Sequence, residues 1–86
     1  MIITKQTVAA KIAAYLRHEI SLEELVDWSE TILMNGDFEE ADCATISQVV
    51  SRLGVSDVRA FGLTWEDCED LLRRIGFVPK VEVVTA

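Results

Sequence analysis

The sequence has few of the residues on which catalytic and metal-binding motifs depend. Its 86 residues include two cysteines, one histidine, one proline and four glycines. Cys43 and Cys68 lie 25 residues apart without a Cys-x-x-Cys pair, which fits neither a disulfide framework nor a zinc ribbon. The glycines form no phosphate-binding loop, and no serine stands in a Gly-x-Ser-x-Gly setting. We therefore expect no metal, no cofactor and no enzyme activity.

Long apolar runs and an excess of basic residues are also lacking. No uninterrupted apolar stretch approaches the roughly 20 residues of a membrane-spanning helix, and the N-terminus lacks the basic region of a signal peptide. Eight basic residues against fifteen acidic ones give a net charge of -7, opposite to the footprint of a nucleic-acid-binding surface. These absences predict a cytoplasmic protein that contacts neither membranes nor nucleic acid directly.

What is present is enough apolar material for one small domain. Half of the residues are hydrophobic, which excludes intrinsic disorder, and 86 residues leave room for a single core. We therefore expect residues 1–86 to form one domain.

The apolar spacing predicts four helices. The first covers about residues 4–18, and the second covers about 22–35 between a capping box at Ser21 and Glu24 and a C-cap at Asn35-Gly36. A capping pattern at Asp37 predicts the start of the third helix. Gly54 predicts its end, as the glycine of a Schellman-type cap. The fourth helix follows Thr64 and ends at Gly76. A connection over residues 56–63 should place Val58 and Phe61 on the core.

After Gly76 the pattern changes. Residues 77–84 are rich in β-branched side chains and partly alternate, which is typical of a strand, and residues 1–3 are its natural partner. The predicted fold is therefore mainly α, with about four helices in a small bundle and a short two-stranded β ribbon from the N- and C-terminal segments. Such a ribbon is marginal alone, so it should pack on the helices or extend across a dimer.

Charge is unevenly distributed along the chain. Residues 1–18 contain three basic residues and no acid, whereas residues 19–51 contain nine acids and no base. The spacing of Glu23, Asp27 and Glu30 places their carboxylates on one helix face. Such a surface can steer a basic partner, although acids at helix starts also complement the helix dipole and keep a small protein soluble.

The candidate partner-binding residues are Glu23, Asp27, Trp28, Glu30, Glu39 and Glu40. Trp28 beside Asp27 is either an interface anchor or a core residue. The acids around Glu39 and Glu40 lack the central glycine and terminal glutamate of an EF-hand calcium loop. His18, near the end of the first helix, is more simply a partner of the helix dipole than a metal ligand.

Three segments carry a resemblance to a known group of proteins. They are Ser21-Leu22-Glu23-Glu24-Leu25-Val26-Asp27-Trp28-Ser29-Glu30, Asn35-Gly36-Asp37-Phe38 and Phe61-Gly62-Leu63-Thr64-Trp65-Glu66-Asp67. With these segments the chain resembles, over most of its length, short bacterial proteins of uncharacterised function. The resemblance implies a compact helical bacterial domain, and it implies no activity and no site residue.

Two functional hypotheses follow. The first is a non-catalytic, acidic protein-binding module, in its sharper form an immunity-type or antitoxin-type inhibitor of a basic toxin or nuclease. The alternative is a self-assembling structural module, a homodimer, in which the strand from Lys80 to Val84 builds the oligomer and the acids solubilise it.

Overall fold

The computed structural model describes residues 2–57 and 62–85 of the chain. In order, they form β1 (Ile2–Ile3), α1 (Lys5–Leu16), α2 (Leu22–Asn35), β2 (Asp37–Phe38), a 3-10 turn (Glu40–Asp42), α3 (Cys43–Gly54) and α4 (Trp65–Arg74). Within these residues the expectation of a mainly α protein with four α-helices is confirmed. Val58 and Phe61 of the expected connection lie outside the described residues.

Reciprocal capping boxes start three of the helices. At α2, the Ser21 hydroxyl accepts a hydrogen bond from the Glu24 amide at 3.1 Å, and the Glu24 carboxylate accepts one from the Ser21 amide at 3.4 Å. Thr64 and Asp67 form the same arrangement at α4, at 3.1 and 2.9 Å. Both starts follow from the sequence, because the pattern satisfies amides that have no partner inside the helix.

The first helix ends earlier than its apolar spacing predicts. His18 adopts a left-handed conformation, with φ of 62°. Its amide donates to the Tyr15 carbonyl at 3.0 Å, and the Glu19 amide donates to the Ala14 carbonyl at 2.9 Å. These two bonds form a Schellman motif, so a non-glycine residue takes the left-handed position in which glycine is usual.

The predicted ribbon between the two termini is wrong in its second strand. β1 pairs in parallel with β2, with Ile2 opposite Asp37 and Ile3 opposite Phe38. Ile3 is buried, and its Cγ1 lies 3.2 Å from where a Cβ on Gly36 would be. Because the close packing of Ile3 against Gly36 brings β1 to the end of α2, the N-terminal segment pairs with β2. The C-terminal segment, residues 77–85, forms no strand among the described residues.

This pairing also explains why α3 starts later than predicted. Asp37 belongs to β2 and does not cap a helix, so α3 begins at Cys43 after the 3-10 turn. At the other end of α3, Gly54 is the last helical residue and does not adopt the left-handed Schellman position expected of it. The bounds of α2, by contrast, agree with the sequence prediction.

The core lies where the apolar faces of the helices meet. Ser29 is fully buried, and its hydroxyl donates to the Leu25 carbonyl at 2.8 Å. A Cβ on Gly54 would lie 3.9 Å from Ser29 Cβ and 3.7 Å from Leu33 Cδ1, which places the end of α3 against α2. The largest fully buried apolar side chains are Ile3, Ile12, Leu25, Ile46, Leu53 and Ile75. Burial of these side chains fixes which face of each helix remains exposed.

Candidate functional site

An exposed row of carboxylates follows one side of α2, and we name it the acidic face: Glu23, Asp27 and Glu30. All three side chains are exposed, whereas Leu25 and Val26 point into the core. The spacing of four and three residues corresponds to axial steps of about 6 Å and about 4.5 Å along a helix. The structure therefore brings these three predicted residues together.

The acidic face has no cationic partner among the described residues. Of the nine acids in residues 19–51, Asp42 alone forms an ion pair in the part of the chain that is described, with Lys5 Nζ at 3.4 Å. The acids of α4 differ, since Glu69 pairs with Arg73 at 3.8 Å and Asp70 with Arg74 at 2.9 Å. Like charges three or four residues apart repel each other on a helix. The carboxylates of the acidic face therefore repel each other without the nearby arginines that Glu69 and Asp70 have.

Met34 belongs to the same surface, although the sequence analysis did not select it. Its side chain is 82% exposed. It lies four residues after Glu30, so it continues the row of the acidic face by one turn. The spacing from Glu23 through Glu30 to Met34 is the signal in the sequence that would have identified it.

Trp28 does not belong to the acidic face. One residue of helix turns the side chain by about 100°, which carries Trp28 away from Asp27. The indole is half-buried and packs against the core. Lys11 Nζ lies 5.5 Å from the ring centroid, within cation–π range. Trp28 therefore joins α1 to α2, and α1 contributes the cation that covers the ring.

Glu39 and Glu40 lie on a different segment, after β2 and at the start of the 3-10 turn. Glu39 is half-buried and its amide donates to the Ile3 carbonyl at 3.0 Å, while Glu40 is exposed. The six predicted residues thus fall on three places: the acidic face, the α1–α2 contact at Trp28, and this turn.

A polar cluster around Arg52 was missed by the sequence analysis. Its guanidinium donates to Ser56 Oγ at 3.0 Å, to the Gly62 carbonyl at 3.0 Å and to Asp67 Oδ2 at 3.5 Å. The Thr64 amide and hydroxyl, and secondarily the Arg52 charge, hold the pKa of Asp67 below its usual value. The cluster joins the end of α3 to the start of α4, which is a structural role. Arg52 and Asp67 are 15 residues apart, and no local sequence pattern predicts a contact between residues so far apart.

The histidine and the cysteines do not build a metal site. Within residues 2–57 and 62–85, no group of three or more His, Cys, Asp or Glu side chains is placed to hold a metal ion. Cys43 is exposed on α3 and Cys68 is buried. Burial raises the pKa of the Cys68 thiol to about 11, so this thiol is protonated at neutral pH and is a poor nucleophile.

A groove of about 750 Å³ lies between α1, α4 and the residues that follow α4. Three alanines of α1, at positions 9, 10 and 13, form part of its wall, together with Leu72 and Phe77. Residues 78–82 line the other side, and Arg17 lies among the lining residues. The small α1 side chains leave this space open.

None of the helices in the described parts of the chain combines the length and the apolar character that crossing a membrane requires. No protein-family model, no curated protein and no solved structure matches the chain.

Proposed function

We propose that the protein is a non-catalytic binding module whose acidic face contacts a basic surface of another protein. In the sharper form of the proposal, it is an immunity-type or antitoxin-type inhibitor that covers the nucleic-acid-binding surface of a basic toxin or nuclease. The proposed setting is the bacterial cytoplasm, with no direct contact to membranes, and the acidic composition supports a protein that does not itself bind nucleic acid.

The observation that carries the proposal is that no cation in the described part of the chain pairs with the acidic face. Glu23, Asp27 and Glu30 are exposed and form no ion pair with any described residue. Their mutual repulsion costs the free protein stability, and a row of lysines or arginines on a partner would relieve it. Acids that served solubility alone could be paired, as Asp70 is with Arg74.

Met34 gives the acidic face an apolar end. Methionine adapts its shape to irregular surfaces and is enriched in protein interfaces. A residue that is 82% exposed in the free protein can lose most of its exposed area on binding. The face therefore combines charges, which accelerate association, with one side chain that can contribute to affinity once water is excluded.

Affinity capture with a pair of matched variants tests the proposal. The first bait carries Glu23→Lys and Asp27→Lys on the acidic face, and the control carries Asp57→Lys and Glu66→Lys elsewhere on the exposed surface. Both baits change the net charge from -7 to -3. A basic protein that is retained by the wild type and the control, lost by the first bait and released by salt supports the proposal. Equal capture by both variants would contradict it.

The alternative, a structural module that assembles with itself, is favoured by a different observation. Four valines of residues 77–85 are between 67% and 93% exposed: Val78, Val81, Val83 and Val84. A soluble monomer gains nothing from exposing them, whereas a second copy could cover them.

A further inference from the structure

The segment after α4, residues 77–85, has the composition of a strand but forms none among the described residues, and we name it the C-terminal tail. A Schellman motif starts it, since Gly76 has φ of 90° and the Phe77 amide donates to the Leu72 carbonyl at 2.8 Å. From residue 78 to residue 85 no backbone group has a hydrogen-bond partner among the described residues. The β-branched composition and the exposed valines favour pairing with another strand.

We propose that the C-terminal tail pairs with the same segment of a second copy, antiparallel, around a two-fold axis at Val81. In this register Lys80 of each chain lies opposite Glu82 of the other, so that two cross-strand ion pairs form. Val81 lies opposite its own counterpart, and Val78 lies opposite Val84. The charge complementarity of the tail with itself identifies a second copy as the occupant.

This register allows two hydrogen-bonding phases, in which the Val81 pair is either a hydrogen-bonded or a non-hydrogen-bonded pair. The position of Pro79 agrees with the register and selects one of the two phases. If the Val81 pair is of the non-hydrogen-bonded type, the residues that bond across the strands are 78, 80, 82 and 84. Pro79 then lies opposite Val83 in a non-hydrogen-bonded pair, and its missing amide proton is not required. In the other phase, Pro79 would leave the Val83 carbonyl of the second copy without a donor. The sequence therefore permits one of the two phases.

The faces of the ribbon also match the surroundings of the C-terminal tail. Phe77 and Pro79 are half-buried, whereas Val78 and Lys80 are exposed, so the odd-numbered side chains face the protein over residues 77–80. Val81 and Val83 are 67% and 93% exposed in the single chain, and in the ribbon they would lie on the same face as Pro79 in both copies. The groove of about 750 Å³ beside the C-terminal tail gives room for the second strand, and the α1 alanines on its wall allow a close approach.

This inference goes beyond the proposed binding of a basic protein and does not rest on it. The C-terminal tail and the acidic face are different segments, and the residues that carry the two arguments do not overlap. Loss of self-association would leave capture of a basic partner unaffected, and failure of that capture would leave the dimer intact.

Charge substitutions test the register. Sedimentation equilibrium of the full chain is measured from about 10 µM to about 1 mM, because a small interface predicts weak association. It should show a monomer–dimer equilibrium. Lys80→Glu turns both ion pairs into repulsive pairs and should raise the dimer dissociation constant about tenfold. The swap Lys80→Glu with Glu82→Lys should restore the wild-type value. A monomer throughout, a dimer insensitive to Lys80→Glu, or a swap that fails to restore affinity would overturn the proposal.

Cysteine cross-linking tests the two-fold axis independently of charge. Cys43 is exposed, so the variants are made with Cys43→Ser to prevent its oxidation. Val81→Cys should form an intermolecular disulfide rapidly, because a non-hydrogen-bonded pair has a Cα separation of about 4.5 Å. Val84→Cys is the control, since two copies of residue 84 would lie about 20 Å apart in this register. Equal rates for the two variants would overturn the proposed register.

Discussion

Neutralising Asp27 should stabilise the free protein. Asp27 is the middle member of the acidic face, four residues after Glu23 and three before Glu30, and it also lies three residues after Glu24, so Asp27→Asn removes three repulsive pairs at once. Each pair costs about 0.2–0.5 kcal/mol, so the variant should gain about 0.6–1.5 kcal/mol in the free energy of unfolding. Asparagine and aspartate have similar helix propensities, and neither the buried face of α2 nor its capping box changes.

The assay is thermal unfolding at low and high ionic strength. For a domain of this size the expected gain corresponds to a rise in Tm of about 3–8 °C at low salt. The rise should vanish near 1 M salt, where the screening length falls to about 3 Å. The control is Asp70→Asn, whose carboxylate lies 2.9 Å from Arg74 Nη2. The ion pair that it loses should offset the repulsion from Glu66 and Asp67 that it relieves, so the stability at low salt should change by less than about 0.5 kcal/mol.

The size of the change at Asp27 relative to that at Asp70, and its dependence on salt, test whether charge repulsion is the cause. A stability gain for Asp27→Asn that persists at high salt would have a cause other than charge repulsion. A loss at low salt would show that the Asp27 carboxylate has a favourable partner, and it would contradict an acidic face that no cation of the described residues neutralises. Equal effects of the Asp27 and Asp70 substitutions would also contradict charge repulsion specific to the acidic face.

Three further predictions concern the ends of the helices and pH. Gly54→Ala should raise the free energy of unfolding in urea titrations by about 0.4–1 kcal/mol, because the added Cβ would make only ordinary van der Waals contacts. Gly76→Ala should lower it by about 1 kcal/mol, because Gly76 has a φ of 90°. A more stable Gly76→Ala than Gly54→Ala would refute the assigned conformations. His18→Gly should add about 0.5–1 kcal/mol by relieving the left-handed φ of 62°, and an unchanged midpoint would contradict that strain. The lowered pKa of Asp67 means that its contribution to stability is present above the unfolded pKa and is lost as pH falls through the folded one. Asp67→Asn should therefore lower Tm at pH 7 and have a progressively smaller effect as pH falls through the folded pKa. A loss that is independent of pH would show that charge is not involved.

The helices could be predicted from the sequence because their signals are local. The capping boxes at Ser21 and Thr64 each need two residues three positions apart, and the bounds of α2 follow from its apolar spacing and from Gly36. His18 shows the limit of this reasoning. Its left-handed conformation ends α1 although the residue carries no glycine-like signal.

The strand pairing and the Arg52 cluster depend on contacts between distant residues. β1 and β2 are two residues long, which is too short for an alternation pattern, and their pairing depends on the packing of Ile3 against Gly36. Arg52 reaches Asp67 across 15 positions of the chain. Neither contact leaves a periodic signal, so a sequence pattern alone could not predict it.

The candidate site could be predicted only in part, because only the acidic face depends on a local pattern. The acidic face is a local pattern on one helix, and the structure places its three carboxylates together in solvent. Trp28 is adjacent to Asp27 in the sequence, yet a turn of about 100° per residue takes it to the contact with Lys11. Adjacency along the chain is therefore a poor guide to a shared surface on a helix.

The measurement that tests the central claim most directly is the affinity for the captured basic protein, determined by titration calorimetry at low and high salt. The wild type and the control with Asp57→Lys and Glu66→Lys should bind alike at low salt and weaken together as salt rises. The variant with Glu23→Lys and Asp27→Lys should bind at least about tenfold more weakly at low salt, with a smaller salt dependence. Equal affinities for the two variants, or a wild-type affinity that salt does not change, would contradict a binding role for the acidic face.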